Sequence, residues 1–513
     1  MNKWLIILII FLFSISLRLW NLNQMGRTWD EYHYIEHGYK MVELLRKGDF
    51  NNSFFYTSYD HPPLVKYMYG IVSHFDIQSI DENGNPVFHY DYTYSRLLSA
   101  FVSSLSIILI VLIGWHILSR FVGIAAGLIL ATMPTFLGFS QLVTAESFIM
   151  LFFSASFFSY LLLLEKFSVK KMIITGILVG IALQVKQSNA LLFPLFGLMY
   201  YVWYRNAKKK KSLSFLNKRL FSIGWILLTS IIVFVLIWPT ILFHFQDIYN
   251  INKGLWHVQF SPKIWQITLS PPEVFFGRLM LTPIFYYLVY FLITTPALAL
   301  IFFFCGLKKI KDSKDWLLYT VALWFLVPFL MSFYSWRQHG LRYIIEVYAP
   351  IALIGGIGLE SIINKFTKRE VYKYVCMLPV VIYFFFILTK ISPYYLDYFN
   401  FLVGGTTGVY ENKSFQIGWW GQGIRQAGLY IKNNAQKGSR IAIATSPAHV
   451  VPMMPGLRVS KYKKDREYDY ILVNYYNILR EGFDDSDIKK KYRPIFYTRA
   501  DGGILATVYK LKK

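Results

Sequence analysis

The chain has 513 residues, of which 55% are hydrophobic, 19% aromatic and only 16% charged, and it carries a formal net charge of +24 at pH 7. A composition this apolar excludes a string of ordinary soluble domains and points to a polytopic protein whose surface mostly faces lipid. The basic residues fall in short clusters between apolar runs rather than in a stripe across polar surface, which excludes nucleic acid as a partner and makes them membrane-orientation charges.

The first run, MNKWLIILIIFLFSISLRLW, has one early Lys and no small-residue cleavage site behind it, so it reads as an uncleaved spanning helix. Further runs at 95–118, 122–140, 147–164, 172–186, 189–204, 220–243, 284–307, 315–334, 341–363 and 375–392 bring the expectation to about eleven helices, each near the roughly 17–25 residues a crossing needs. With the N-terminus in the cytoplasm, alternate turns carry the Lys and Arg excess: Arg120, then Lys166, Lys170 and Lys171, then residues 205–219, 308–314 and 364–374. An odd number of spans leaves the C-terminus outside. Cys305 and Cys376 lie in or beside these runs and imply small apolar core residues rather than a disulfide framework.

Three outer segments are too long to be turns: 21–94, 244–283, and everything after 393. In the first, TWDEYHYIEHG is followed by Ile35, Tyr39, Val42 and Leu45 at helical spacing, which predicts an amphipathic helix over 31–47 with Asp30 as its N-cap. The carboxylates of Asp30 and Glu31 stand together between Trp29 and Tyr32, just after the first apolar run. Further along, SYDHPPLVKYMYG holds Asp60 and His61 in front of two prolines that restrict the backbone, and Lys66 on a second expected helix. Short outer turns add Glu146, Lys186 and the cluster Arg337, His339 and Arg342. Ionisable groups at membrane depth are costly unless paired or used, so each is a functional candidate, with snorkelling at a helix end as the plainer alternative.

After 393 the pattern changes to strand-like runs at 440–445, 468–474, 494–498 and 504–511 between polar or helical stretches, which predicts a small extracytoplasmic α/β domain over 393–513 beside a membrane domain over 1–392. GGTTG at 404–408 lacks phosphate-loop spacing and reads as a turn.

Carboxylates and cations gathered at the outer face suit a substrate with an apolar tail in lipid and a phosphate-linked head at the surface. Transfer of that head group needs a base for the acceptor hydroxyl and cationic groups for the leaving phosphate. The ordered set WDE, DHPPLVKY, SRLLSAFVSSLSIILIVLIG, VKQ, LRYIIEVYAPIALIGGIGLE and PYYLDYFNFLVGG…GWWGQG resembles the C-type polytopic glycosyltransferases, in particular protein O-mannosyltransferases and lipid A aminoarabinose transferases. The resemblance implies a polyprenyl-phosphate-linked sugar as donor, a glycan, lipid or protein as acceptor, and an inverting single displacement outside the cytoplasmic membrane. It implies Asp30 as base with Glu31 tuning or positioning it. Asp60, His61, Lys66, Lys186, Arg337, His339 and Arg342 would line the donor head-group and phosphate site. Glu146 stands where relatives often carry Asp, at an acceptor or cation site, and a divalent cation is left open. A transporter or lipid flippase, and a non-catalytic scaffold of envelope assembly, are the rival functions.

Overall fold

A computed structural model describes residues 2–57, 61–209, 216–250, 272–333, 339–444, 448–480 and 482–512. Asp60 and Arg337 lie outside them.

Helices occupy all eleven apolar runs, and local sequence explains where several begin and bend. Ser119 accepts the Val122 amide and caps Arg120–Ala131; Asp315 accepts the Leu317 amide and caps Trp316–Ser332. Two runs are broken at proline, which lacks the amide a continuing helix needs. Arg120–Ala131 bends by 67° into Pro134–Ser140, and Tyr286–Thr294 turns by 116° into Ala297–Asp312 across Pro296. Among the described residues, five helices are long and apolar enough to cross a bilayer: Thr93–Ile117, Glu146–Glu165, Arg219–Ile237, Arg342–Ile363 and Glu370–Ile391; counting each bent pair as one span gives up to seven. The chain is a multi-pass membrane protein.

Tight helix crossings are made at glycine. A methyl group on Gly358 would overlap the Phe302 carbonyl, and one on Gly306 the Ile354 carbonyl, so Ala297–Asp312 and Tyr348–Ile363 approach backbone to backbone. Cys305 is half-buried and Cys376 exposed on Glu370–Ile391, so the second is not the core residue expected.

The first outer segment is helical where the periodicity indicates, with one difference: His33–His37 is wound as a π-helix before Gly38–Arg46. Leu64–Val72 follows, then a hairpin of β1 (Ile77–Ile80) and β2 (Pro86–Phe88). A second hairpin, β3 (Glu273–Phe275) and β4 (Arg278–Met280), precedes the broken pair. GGTTG is not a free turn: Gly404 is left-handed and Gly405–Glu411 is a short helix.

Beyond it, β5 (Arg440–Ile443), β6 (Arg458–Lys461), β7 (Tyr470–Asn474), β8 (Tyr492–Ala500) and β9 (Gly503–Leu511) form one sheet in the order β6-β5-β7-β9-β8. β5 pairs in parallel with β6 and β7, and the remaining pairs are antiparallel. Ile424–Asn434 packs Ile424, Ala427 and Ile431 against Ile441, Leu472 and Val508 on one face of the sheet.

Candidate active site

Glu31 and Asp30, adjacent in sequence, have opposite fates. Glu31 is fully buried and saturated: Oε2 accepts the Thr28 amide (2.8 Å) and Arg96 Nη2 (2.8 Å), while Oε1 accepts Arg96 Nε (3.0 Å) and the Val143 amide (3.0 Å). Arg96 sits in the first turn of Thr93–Ile117 and spends its remaining donors on the Leu22 and Gly26 carbonyls. The pair therefore clamps the first outer segment to a membrane helix and to the turn ahead of Glu146. Glu31 is thus buried on Arg96 and away from Arg342, a placement compatible with the positioning role the resemblance implies and not with direct contact to substrate.

Asp30 is turned the other way and its side chain is 40% exposed. Its carbonyl accepts the His33 amide at 3.1 Å, and its carboxylate accepts Arg342 Nη2 at 2.9 Å. Arg342 Nε donates to Glu146 Oε1 at 2.9 Å, so one guanidinium bridges two carboxylates far apart in sequence, one in a turn and one opening a helix. The guanidinium lies over the Trp420 ring at 4.1 Å from its centroid. Lys186 Nζ stands 4.9 Å from the centroid of the Tyr343 ring, and its field reaches Glu146 and Glu346, which is buried one turn beyond Arg342. Glu146 occupies the first turn of Glu146–Glu165, where the positive end of the helix dipole favours a carboxylate.

Asp30, Glu146, Lys186 and Arg342 thus gather in one place. Of the other candidates, Asp60 and Arg337 lie outside the described residues. Lys66 is buried within Leu64–Val72, and His61 is half-buried at the start of that segment. His339 is held in a separate small cavity with Glu273, Tyr290 and Gln416, its ring stacked on Trp419 at 4.5 Å, and Trp419 is stacked in turn on Trp420 at 5.0 Å. Among the described residues no group of three or more His, Cys, Asp or Glu is placed to hold a metal ion.

Glu273 was missed by sequence reasoning. It is buried, and both its oxygens accept from Tyr286 Oη (2.9 Å each), with Tyr290 Oη at 2.7 Å and the His339 amide at 3.4 Å. Burial holds its carboxyl above the usual range. A single Glu among aromatics was the available signal. Arg96, the other omission, stands inside the motif SRLLSAFVSSLSIILIVLIG, at the start of an apolar run.

Beside the site a cleft of about 1610 Å³ opens between the first outer segment and the sheet, reaching Trp29 and His449. His449 Nε2 lies 3.1 Å from the Trp29 carbonyl, with its ring 4.6 Å from that of Tyr32, and burial draws its imidazole below its ordinary value.

Residues 7–253 match the family model described as dolichyl-phosphate-mannose-protein mannosyltransferase. Just under half of the chain thus resembles that family. Its fold is similar over nearly the whole length to ArnT from Cupriavidus metallidurans: the structure bound to undecaprenyl phosphate shares 12% identity at a TM-score of 0.51, covering 98% of this chain and 97% of that one. The apo structure of the same protein gives 13% identity, 98% and 97% coverage and a TM-score of 0.51. The Pmt1-Pmt2 complex of S. cerevisiae bound to the sugar donor shares 20% identity over 48% of this chain and 34% of that one, with a TM-score of 0.37. No curated protein sequence matches the chain. In this chain the four gathered side chains, with Glu31 behind them, are the candidate functional centre.

Proposed function

We propose that this enzyme transfers a sugar from a polyprenyl-phosphate donor to an acceptor hydroxyl on the outer face of the cytoplasmic membrane, with inversion and with Asp30 as general base. The acceptor O–H proton passes to the Asp30 carboxylate as the oxygen attacks the anomeric carbon. The bond from that carbon to the phosphate oxygen breaks with its electron pair on the phosphate. Lys186 and Arg342 stabilise that charge, Lys186 as a point charge and Arg342 as a planar fork. No side-chain nucleophile is required.

The observation that carries the proposal is the Arg342 bridge between exposed Asp30 and buried Glu146. Its place along the helices supports the outer face. Glu146 opens a helix that ends at Lys166, and Lys186 follows a helix that begins beside Lys170 and Lys171, so the site lies at the ends opposite the lysine-rich turns. This arrangement goes with about eleven spans, a cytoplasmic N-terminus and an outer domain over 393–513. It also disfavours a transporter, whose polar binding groups would sit near the bilayer midplane.

The cleft is the proposed approach for the acceptor. At about 1610 Å³ it exceeds the roughly 300–1,000 Å³ of small-molecule pockets, which suits a segment of a larger acceptor, whether glycan, lipid or protein.

In nanodiscs with a polyprenyl-phosphate sugar and acceptor, Asp30→Asn is expected to lower turnover by about 10²–10⁴-fold, the usual worth of a general base, while donor binding survives. Full turnover in that variant would remove Asp30 from the role.

A further inference from the structure

We propose that Glu273 is a positioning residue for the donor site: its buried carboxylate fixes the His339–Arg342 turn and so sets where the Arg342 guanidinium stands between Asp30 and Glu146. The inference rests on the donor-site reading above and extends it to a second outer segment.

An ionised carboxylate withdrawn from water is tolerated only when its lone pairs are taken. Glu273 meets that condition with two tyrosine hydroxyls from the helix Tyr286–Thr294 and one backbone amide of the turn itself. The Tyr286 hydroxyl donates to Glu273 and accepts the Gly340 amide at 3.0 Å, so it relays the carboxylate's charge to the next residue of the chain. The His339 amide thus reaches the carboxylate directly and the Gly340 amide reaches it through the Tyr286 hydroxyl. Both residues are left-handed, with φ of 73° and 61°. Gly340 adopts that conformation freely, whereas for His339 it is uncommon and costs energy that its surroundings must supply. An amide held by a buried carboxylate, with the next amide held by the hydroxyl bonded to it, is one such source. The turn closes with the Arg342 amide donating to the His339 carbonyl at 3.3 Å, and the 3₁₀ segment Arg342–Val347 starts at that point.

A second contact path runs in the same direction. The His339 ring stacks on Trp419, Trp419 on Trp420, and Arg342 lies over Trp420. Glu273 itself is tethered to the tail, because Phe275 bridges Phe415 and the Gly277 amide donates to the Ser414 carbonyl at 3.0 Å. One carboxylate thus joins the second outer segment, the 339–342 turn and the aromatic stack that faces Arg342.

A merely structural Glu273 would alter stability and leave the 339–343 amides and donor affinity alone, so two measurements separate the roles. Tyr286→Phe deletes only the relaying hydroxyl, and Glu273→Gln keeps shape and one acceptor oxygen, so both are expected to fold. In each, hydrogen exchange at 339–343 is expected to rise. Affinity for undecaprenyl phosphate in detergent is expected to fall about tenfold, the size of one lost hydrogen bond to a charged group. In an Arg342→Ala background, Glu273→Gln is expected to weaken binding no further. Unchanged exchange at 339–343 in both variants, or a full additional loss in the double variant, would overturn the proposal. Undiminished affinity in Arg342→Ala alone would instead remove Arg342 from the donor site, and the exchange result would still decide the role of Glu273.

Discussion

Three buried carboxyl groups show how much the surroundings of one residue decide. Glu31 is met by a guanidinium and two amides, and Glu273 by two hydroxyls and an amide, whereas Asp397 accepts the Gly418 amide at 2.6 Å in an otherwise closed environment. Burial pushes the Asp397 carboxyl up from 3.8 to about 7. A group whose folded-state value is raised binds more protons folded than unfolded, so its contribution to stability is present below its ordinary value and is lost as pH climbs from about 4 to about 7. Asp397→Asn keeps an acceptor for Gly418 and removes the titration. Melting curves in detergent at pH 5 and pH 8 are expected to show the wild type losing stability at the higher pH and the Asn variant losing markedly less; equal losses would mean that Asp397 is ionised at little cost in the fold.

At the scale of elements, glycine placement and strand patterning matter most. Gly38–Arg46 and Leu64–Val72 meet where Gly38 faces Gly70, and a methyl on Gly70 would overlap the Gly38 carbonyl. Gly70→Ala is therefore expected to destabilise by about 1–3 kcal/mol, the range for overpacking a tight contact. Gly224, on Leu216–Ile237, has nothing within 4 Å of the added carbon, so Gly224→Ala is expected to be neutral or to stabilise by up to about 1 kcal/mol through helix propensity. Thermal melts of the two variants side by side check the pair. Four of the five tail strands were legible because apolar residues recur along them. β6, RVSK, was not: it is an edge strand with all four residues exposed, so no burial shapes its sequence. The π-helical start at His33–His37 also escaped periodicity, which cannot tell a locally widened turn from an ordinary one.

Across the whole molecule, two guanidiniums close the tail onto the first outer segment. Arg27 donates to the Tyr90, His89 and His449 carbonyls at 2.6, 3.0 and 3.3 Å and stacks on Tyr92 at 4.0 Å, while Arg425 pairs with Asp91 at 3.1 Å. Arg27 lies three residues before Asp30, so the join that frames the cleft is continuous with the proposed base. Arg27→Ala is expected to speed hydrogen exchange at 448–461 and to lower transfer severalfold while affinity for the lipid phosphate holds. An unchanged exchange pattern would show that the tail is held without it.

The helical membrane character, the α/β tail and the candidacy of Asp30, Glu146, Lys186 and Arg342 were all determined by sequence alone, because long apolar runs and the ionisable residues at their ends are local properties. Only the tertiary structure decided between neighbours. Asp30 and Glu31 are chemically similar and adjacent, yet successive side chains on a helical turn point about 100° apart, and Arg96, distant in sequence, claims one and leaves the other exposed. The same holds for Glu273 and His339, whose roles depend on partners brought close by folding rather than on spacing along the chain. Partnership in a low-dielectric interior is a property of three-dimensional proximity, and no periodicity encodes it.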